Sequence, residues 1–522
     1  MTDHAAAHID YLLIGAGPGN LQLAHHLQRA DADYLVLERG QAPGTFFRRF
    51  PRHRTLISIN KPHVGGLSAE AALRYDWNSL LSDDERLLFT RYTPRYFPAA
   101  DDYVRYLGDY ANELALDVRF GIRIERIDKP DRFEAIDQDG RVYSARNLII
   151  GTGLSAPRLP AIPGIEHAEP YRDFDTDPAG FTDQRVLIIG KGNSAFETAE
   201  SLTESAATLH LASPNPIRFA WKTRYVGHLR AVNNDFLDTY HLKSQNAVLD
   251  AHVTRIRRAN GGLVVDFSYT HASGERIQRY YDRVIACTGF RFDDSIFAPA
   301  ARPVSCHDGR YPAQTSEWES VNVPGMFFAG TLMHARDYRR TMSGFVHGFR
   351  YNVRFLADLL LGRNGGQRLA SREVPRVPEK ICESALRRIN TSSAMFLQPG
   401  YFCDVITDAG GETLRHYSDI PYDYVLDSEL SSARWFSITL EYGPEADDPF
   451  NIVRDTDPSW ARLAPFLHPV ARVFDGTRQI DQLHLLEDLE NKYSSDKHGR
   501  LLTRFFDEHI RRAELNTEPA AF

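Results

Sequence analysis

Two glycine-punctuated strand–turn–helix segments constrain the fold of this chain more than any other feature. The first, "YLLIGAGPGNLQLAHHL" (Tyr11 to Leu27), runs from an apolar strand through Gly15, Gly17, Pro18 and Gly19 into a helix-forming run. The second, "VLIIGKGNSAFETAESL" (Val186 to Leu202), repeats the layout with Gly190, Gly192, Asn193, Ser194 and Ala195. In such a turn the first glycine permits the tight bend and the second lets the backbone approach a pyrophosphate. The third position packs helix on strand, and the phosphate sits on the helix N-terminus. The expected fold class is therefore α/β, with two Rossmann-like dinucleotide-binding units.

The two turns are expected to take different dinucleotides. The first is followed by "YLVLERG", a second strand ending in Glu38 and Arg39, and the Glu38 carboxylate suits the ribose hydroxyls of an adenosine. Glu38 lies 23 positions after Gly15, and the same step from Gly190 leads to Ser213, with Arg218 close behind. An acidic residue at 213 would repel a 2′-phosphate, whereas a serine and an arginine can bind one. The first site suits FAD or NAD and the second NADPH. Each unit is closed by a hairpin and a strand ending in Thr-Gly: Thr152-Gly153 after the first, Thr288-Gly289 after the second. The first half is the longer, and its surplus lies mostly between residues 45 and 110, an insertion that is a candidate for the active site.

Bulk properties narrow the function by exclusion. At 522 residues the chain is long for one core, and a net charge of −8 argues against nucleic acid as the partner. No uncharged apolar stretch approaches the 18 or so residues that span a bilayer, and the start carries no signal-peptide pattern. The expectation is a cytoplasmic protein acting on a small molecule, with a homo-oligomer allowed. Cysteines 287, 306, 382 and 403 form no C-x-x-C pair and no metal-ligand spacing, so no metal is expected.

The paired fingerprints, "GTG", "ACTGF" and "VPGMFFAG" (Val323 to Gly330) resemble the two-dinucleotide-binding-domain flavoproteins, in particular the NADPH-using flavin monooxygenases of class B. Longer stretches ("RTLISINK", "LRYDWNSLLS", "GKGNSAFETAE", "GTLMHARDYRRTMSGFVHGFRY", "FLHPV") resemble the FAD-dependent oxidoreductase domain-containing protein 2 family and its bacterial relatives. Some of these, nitrosuccinate-forming enzymes among them, oxidise amino groups in natural-product pathways. The resemblance implies an FAD-binding domain over 1–165 and 285–365, interrupted by an NADPH-binding domain at 166–284. Proline-rich "APRLPAIPG" (Ala156 to Gly164) suits the first crossing between them. "LGRNGGQRLASREVPRVPEK" reads as a linker to a C-terminal α+β extension, 370–522, with a strand-like "WFSITLEYG" and a helical "RLLTRFFDEHIRRAEL".

Two chemistries fit FAD beside NADPH. Reduced flavin captures O2 as a C4a-(hydro)peroxide and oxygenates a nucleophile, or it passes electrons to a disulfide. The second calls for a close cysteine pair, which the spacing does not offer. A nucleotide-binding scaffold without catalysis is the third reading. For oxygenation the insertion supplies Asn60 and Lys61, then Asp76, Trp77 and Asn78. The resemblance puts Asn60 near the flavin ring, while an Asn-Lys-Pro turn of structural value only stays open. Thr331 follows Gly330 where many of these flavoproteins have a ribityl-binding aspartate, so Asp337 is a candidate substitute. His334, Arg336, Arg339 and Arg340 make that stretch basic, as do Arg54, Lys61 and His63 in the insertion. Read sharply, they grip an anionic, amine-bearing substrate such as aspartate, oxidised at nitrogen; read plainly, the first group is a solvated loop.

Overall fold

The structure, a computed structural model, describes residues 8–363, 365, 369–408 and 411–517. Tyr11, Leu12, Leu13 and Ile14 are all buried, so strand His8–Ile14 needs cover on both faces, as a parallel α/β strand does. It lies inside a seven-stranded sheet of order 118–120, 34–38, 8–14, 142–150, 133–137, 124–128. Strand Val142–Ile150 works in two registers. Its first half alternates in burial and pairs antiparallel with Phe133–Asp137. Its second half is continuously buried between His8–Ile14 and Met326–Phe328, both parallel to it.

A second seven-stranded sheet is built wholly from residues 169–286, between strands 150 and 326 of the first. Its order is 276–281, 262–269, 247–259, 208–213, 185–189, 283–286, 169–170. This is a Rossmann-like unit inserted into another, the two units as the paired fingerprints predict and the insertion as the family resemblance implies. The two covalent crossings run side by side, with Leu154–Pro157 pairing antiparallel with Phe290–Phe292. "TRIRRANGG" lies on strand Ala247–Ala259 and the turn after it, with Thr254, Arg255 and Arg258 exposed and Ile256 buried, an exposed face as read from its alternation.

The third region folds as a six-stranded antiparallel sheet of order 372–375, 413–421, 402–407, 434–442, 467–475, 478–484. Helices Pro378–Thr391 and Arg500–Thr517 pack together beside it. The expected linker is shorter than its composition suggests. Helix Val346–Arg363 runs into its start, and strand Arg372–Pro375 pairs at its far end. Alternate residues of the first sheet separate its two faces. Leu12, Ile14, Leu35 and Leu148 join one apolar cluster. Tyr11, Leu13, Val36 and Ile149 join another that continues without a break through Leu356 and Leu360 into Val405, Trp435, Phe436 and Phe506. The C-terminal sheet therefore shares one core with the first nucleotide unit.

Candidate active site and dinucleotide cradles

The two glycine turns superimpose in their bonding, contact for contact. Gly15 N–H donates to Leu37 O at 2.7 Å, and Gly190 N–H to Ala212 O at 2.9 Å. Gly151 N–H donates to Ile14 O, and Cys287 N–H to Ile189 O, each at 2.9 Å. Ser213 therefore occupies the place that Glu38 holds in the first unit. A Cβ on Gly15 would stand 3.0 Å from Gly151 O, and one on Gly190 2.3 Å from Cys287 O. Both residues have positive φ, +95° and +139°, so these two glycines are demanded by the protein's own backbone.

The middle glycines are different. A Cβ on Gly17 would meet nothing nearer than Gly151 O at 3.8 Å, and one on Gly192 nothing within 4 Å. Each caps a helix, Pro18–Arg29 or Asn193–Leu202, that has no side-chain cap and no acidic residue in its first turn. Space beside the backbone and an unneutralised helix N-terminus are what a pyrophosphate requires, so both cradles fit a dinucleotide. Gly19 answers a third need: its Cβ would lie 2.6 Å from Gly330 N and Cα, so the first helix rests directly on the end of strand Met326–Phe328.

Glu38 is buried, and its carboxylate accepts from Ala16 N–H at 2.7 Å, from Gly40 N–H at 2.8 Å and from the Thr45 hydroxyl at 2.8 Å. It thereby fixes the turn to the strand that follows. Arg39 is exposed beside it. Thr152 and Gly153 lie half-buried; on the other unit Thr288 Oγ1 donates to Arg158 O at 2.6 Å, next to exposed Gly289. Asn193 reaches across to a later loop, donating to His228 O at 2.8 Å and accepting from Arg230 N–H at 2.9 Å. Ser194 O accepts from Thr198 Oγ1, and Ser213 Oγ donates to Asn215 O at 3.2 Å. Arg218 is exposed near His228, whose basicity is lowered by burial and then by Arg218 and Arg339.

The insertion folds mostly as irregular chain, and buried side chains satisfy its backbone. Asp76 accepts from Asn78 N–H at 3.1 Å and from Ser79 N–H at 2.9 Å, and it also binds the Ser79 hydroxyl. Asn78 donates to Ile59 O at 3.0 Å and accepts from Ser58 Oγ at 2.5 Å. Both residues hold the turn together. Arg350, fully buried on helix Val346–Arg363, donates to Asp76 O and Ser79 O at 2.9 Å and to Leu73 O at 2.8 Å. Asn60 bridges the strip, donating to Thr93 O at 2.7 Å, yet its buried Oδ1 has no partner. His347 stacks on Trp77 at 4.3 Å with both ring nitrogens buried and unpartnered. Burial, reinforced by Arg350 and Arg230, holds it well below the usual imidazole range. These orphaned atoms await a hydrogen-bonding ring system, so this face fits a flavin. Lys61 and His63 are exposed nearby, Lys61 lying 5.6 Å from the Tyr75 ring.

The basic stretch after Gly330 is neutralised in part: His334 and Arg336 have carboxylate partners, whereas Arg339 and Arg340 are exposed. Arg336 pairs with Asp423 at 2.8 Å and donates to Gln314 O at 3.1 Å. His334 Nδ1 donates to Asp337 at 2.9 Å, and its Nε2 accepts from the Tyr225 hydroxyl at 2.9 Å. Asp337's other oxygen accepts from Ser343 N–H at 3.0 Å and binds the Thr341 hydroxyl, so the carboxylate is occupied within its own loop. Arg340 donates to Arg336 O at 2.6 Å, and Arg339 lies over Tyr338 at 5.0 Å. In the insertion, Arg54 pairs with Asp101 at 2.6 Å. A lone sequence cannot reveal these pairings, because Asp423 and Tyr225 come from other regions of the chain. Arg350, His347, Tyr225 and Arg230 were missed for the same reason; only the i, i+3 spacing of His347 and Arg350 hinted that both face one side of a helix.

Two such cradles, one inserted in the other and both leaning on a buried polar face, define an FAD-dependent oxidoreductase of the two-dinucleotide type, with FAD and NADPH as its cofactors. A family model described as pyridine nucleotide-disulphide oxidoreductase matches residues 12–330. The FAD-dependent oxidoreductase domain-containing protein 2 of Mus musculus is 39% identical over 504 residues, covering 89% of this chain and 76% of the relative. The chain belongs to the pyridine nucleotide-disulphide oxidoreductase family and, within it, to the FAD-dependent oxidoreductase domain-containing protein 2 group. The probable indole-3-pyruvate monooxygenase YUCCA1 of Arabidopsis thaliana is 27% identical over 218 residues, covering 40% of this chain and 47% of that one. A flavin-containing monooxygenase structure from Stenotrophomonas maltophilia has a TM-score of 0.53 at 20% identity, covering 68% of this chain and 99% of that chain, a likeness of fold. No described helix is long and apolar enough to cross a membrane.

Proposed function

We propose that the protein is a monooxygenase that oxidises a small anionic amine at nitrogen, an acidic amino acid such as aspartate, with NADPH as reductant and O2 as oxidant. The observation that carries this reading is the pairing of an orphaned polar face with four thiols of which none is paired with another. Asn60 Oδ1 and both nitrogens of His347 lie buried and partnerless. All four cysteines are free and sit in separate places, and burial raises the Cys287 thiol well above its usual range. A disulfide reductase of this type ordinarily uses a close pair of reactive thiols at the flavin. Bound FAD, once reduced, supplies the activation of O2. Asn60 and His347 then hold hydrogen bonds at the reacting face, and Trp77 excludes water from it. The resemblance to bacterial N-oxygenating enzymes supports nitrogen as the atom oxidised, and a cation beside the amine would keep it neutral and nucleophilic.

NADPH oxidation by the holoenzyme, measured across acidic amino acids, other amines, sulfides, ketones and small disulfides, tests this reading. Acidic amino acids should stimulate turnover, and product made under ¹⁸O2 should gain one heavy oxygen. Stimulation confined to neutral sulfides or ketones would overturn the substrate class, and turnover with disulfides alone would replace the oxygenase by a reductase. Arg218→Ala should weaken NADPH about tenfold or more while leaving NADH little changed, given the ~1.5–3 kcal/mol typical of a charge-assisted bond. Equal losses for both would place the selecting residue elsewhere.

A further inference from the structure

Arg230 stands on the loop between strands Thr208–Ser213 and Ala247–Ala259 of the inserted unit. Its backbone is tied to the second cradle, since its N–H donates to Asn193 Oδ1. Its guanidinium leaves that unit and lies against the insertion of the other, 5.2 Å from the Trp77 ring and 5.9 Å from the Phe97 ring. Nη1 is buried and has no partner, and among the described residues no carboxylate pairs with this side chain. The guanidinium Nη groups of its neighbours are taken up inside the protein, those of Arg350 by three carbonyls and those of Arg336 by Asp423 and Gln314 O. Arg74 is taken up by Ile389 O and Ser392 O, although Arg350 Nε and Arg336 Nε also lack a partner. A partly buried cation without an anion is a standing cost in the empty protein, removed when an anion arrives. The groups around it are those named above: Trp77 carries His347 on its ring, and Asn60 is tied to residues 93–96, next to Phe97.

We propose that Arg230 is the specificity-determining residue of the active site, binding the carboxylate of the substrate and so placing its amine against the face formed by Trp77, His347 and Asn60. The inference rests on the anionic-amine reading above and replaces the basic stretch 334–340 as the source of the grip. The guanidinium comes from the inserted unit and the face from the first, so the carboxylate is held only when the two units are together.

Holoenzyme variants Arg230→Met and Arg230→Lys test it, with L-aspartate, succinate and the uncharged succinamide as probes, followed by flavin absorbance change and by thermal melting. In wild type, aspartate and succinate should perturb the flavin spectrum and raise the melting temperature, and succinamide should do neither. R230M should lose the carboxylate response at least tenfold while its flavin content and its affinity for NADP⁺ stay unchanged, and R230K should fall between. Without probe, R230M should melt no lower than wild type, because the charge removed has no internal partner. If carboxylates bind wild type and R230M equally, Arg230 is refuted and the anionic-substrate reading stands. If R230M weakens NADP⁺ tenfold and leaves carboxylates alone, Arg230 is a dinucleotide contact and the proposal falls. If no carboxylate binds wild type while neutral compounds are turned over, both readings fall together.

Discussion

The buried carboxyl of Glu197 shows how one residue couples the nucleotide units to pH. It lies on helix Asn193–Leu202, takes the hydroxyl proton of Tyr171 in a hydrogen bond, and is pushed by burial up to about 7. The native protein thus holds this proton more tightly than the unfolded chain does, near the ordinary value of 4.5. The stability it brings is complete below about pH 4.5 and is lost as pH rises through about 7, by at most about 3 kcal/mol at ~1.4 kcal/mol per unit. Glu197→Gln should flatten that slope in urea titrations taken from pH 5 to 8; an unchanged slope would mean the carboxyl is already ionised in the fold. Residues of this kind are not legible in a sequence, where Glu197 reads as one more polar position in "AFETAE". Ser213 was legible, because the step from glycine turn to strand end is set by local geometry and repeats in both units. Arg336 was legible only as a charge, since its partner Asp423 lies in a region folded from much later sequence.

At the scale of elements, the first glycine turn separates two kinds of constraint that the sequence shows as identical letters. Gly17→Ala leaves a 3.8 Å contact and should fold normally, with melting of the apoprotein unchanged and FAD affinity reduced. Gly19→Ala drives a methyl to 2.6 Å from the backbone of Gly330 and should lower the apoprotein's melting temperature as well as its flavin content. If both variants lose only flavin, the contact at Gly330 is softer than its geometry implies. The strand–turn–helix elements were readable because apolar runs and glycines announce them over a dozen residues. The insertion was not, because its irregular course is held by side chains such as Arg350 and Asp76 bonding to backbone groups, a pattern with no period.

The whole molecule is held together at its far end by Arg388, whose guanidinium meets Asp404 at 3.0 Å, Asp419 at 2.6 Å and Glu70 of the insertion at 2.8 Å. Asp404 is fully buried and also accepts from His416 at 2.7 Å. Arg388→Ala would leave the buried Asp404 with His416 alone, while Asp419 keeps Arg354 at 2.8 Å, and should cost about 3–5 kcal/mol, read in denaturant unfolding. A loss under 1 kcal/mol would mean that His416 takes up the charge unaided. The third region's fold was hidden in the sequence because its sheet is closed by pairings between distant strands, and its chief function in the structure is to cover an apolar face of the first nucleotide sheet. That cover has a temporal side. On a ribosome making roughly 5–20 residues per second, the stretch from Arg372 onward takes on the order of ten seconds to emerge. Until then Leu13, Val36 and Leu356 wait with their outer neighbours unmade. Recombinant yield of this protein should therefore depend on translation speed and on chaperones that shield nascent chains.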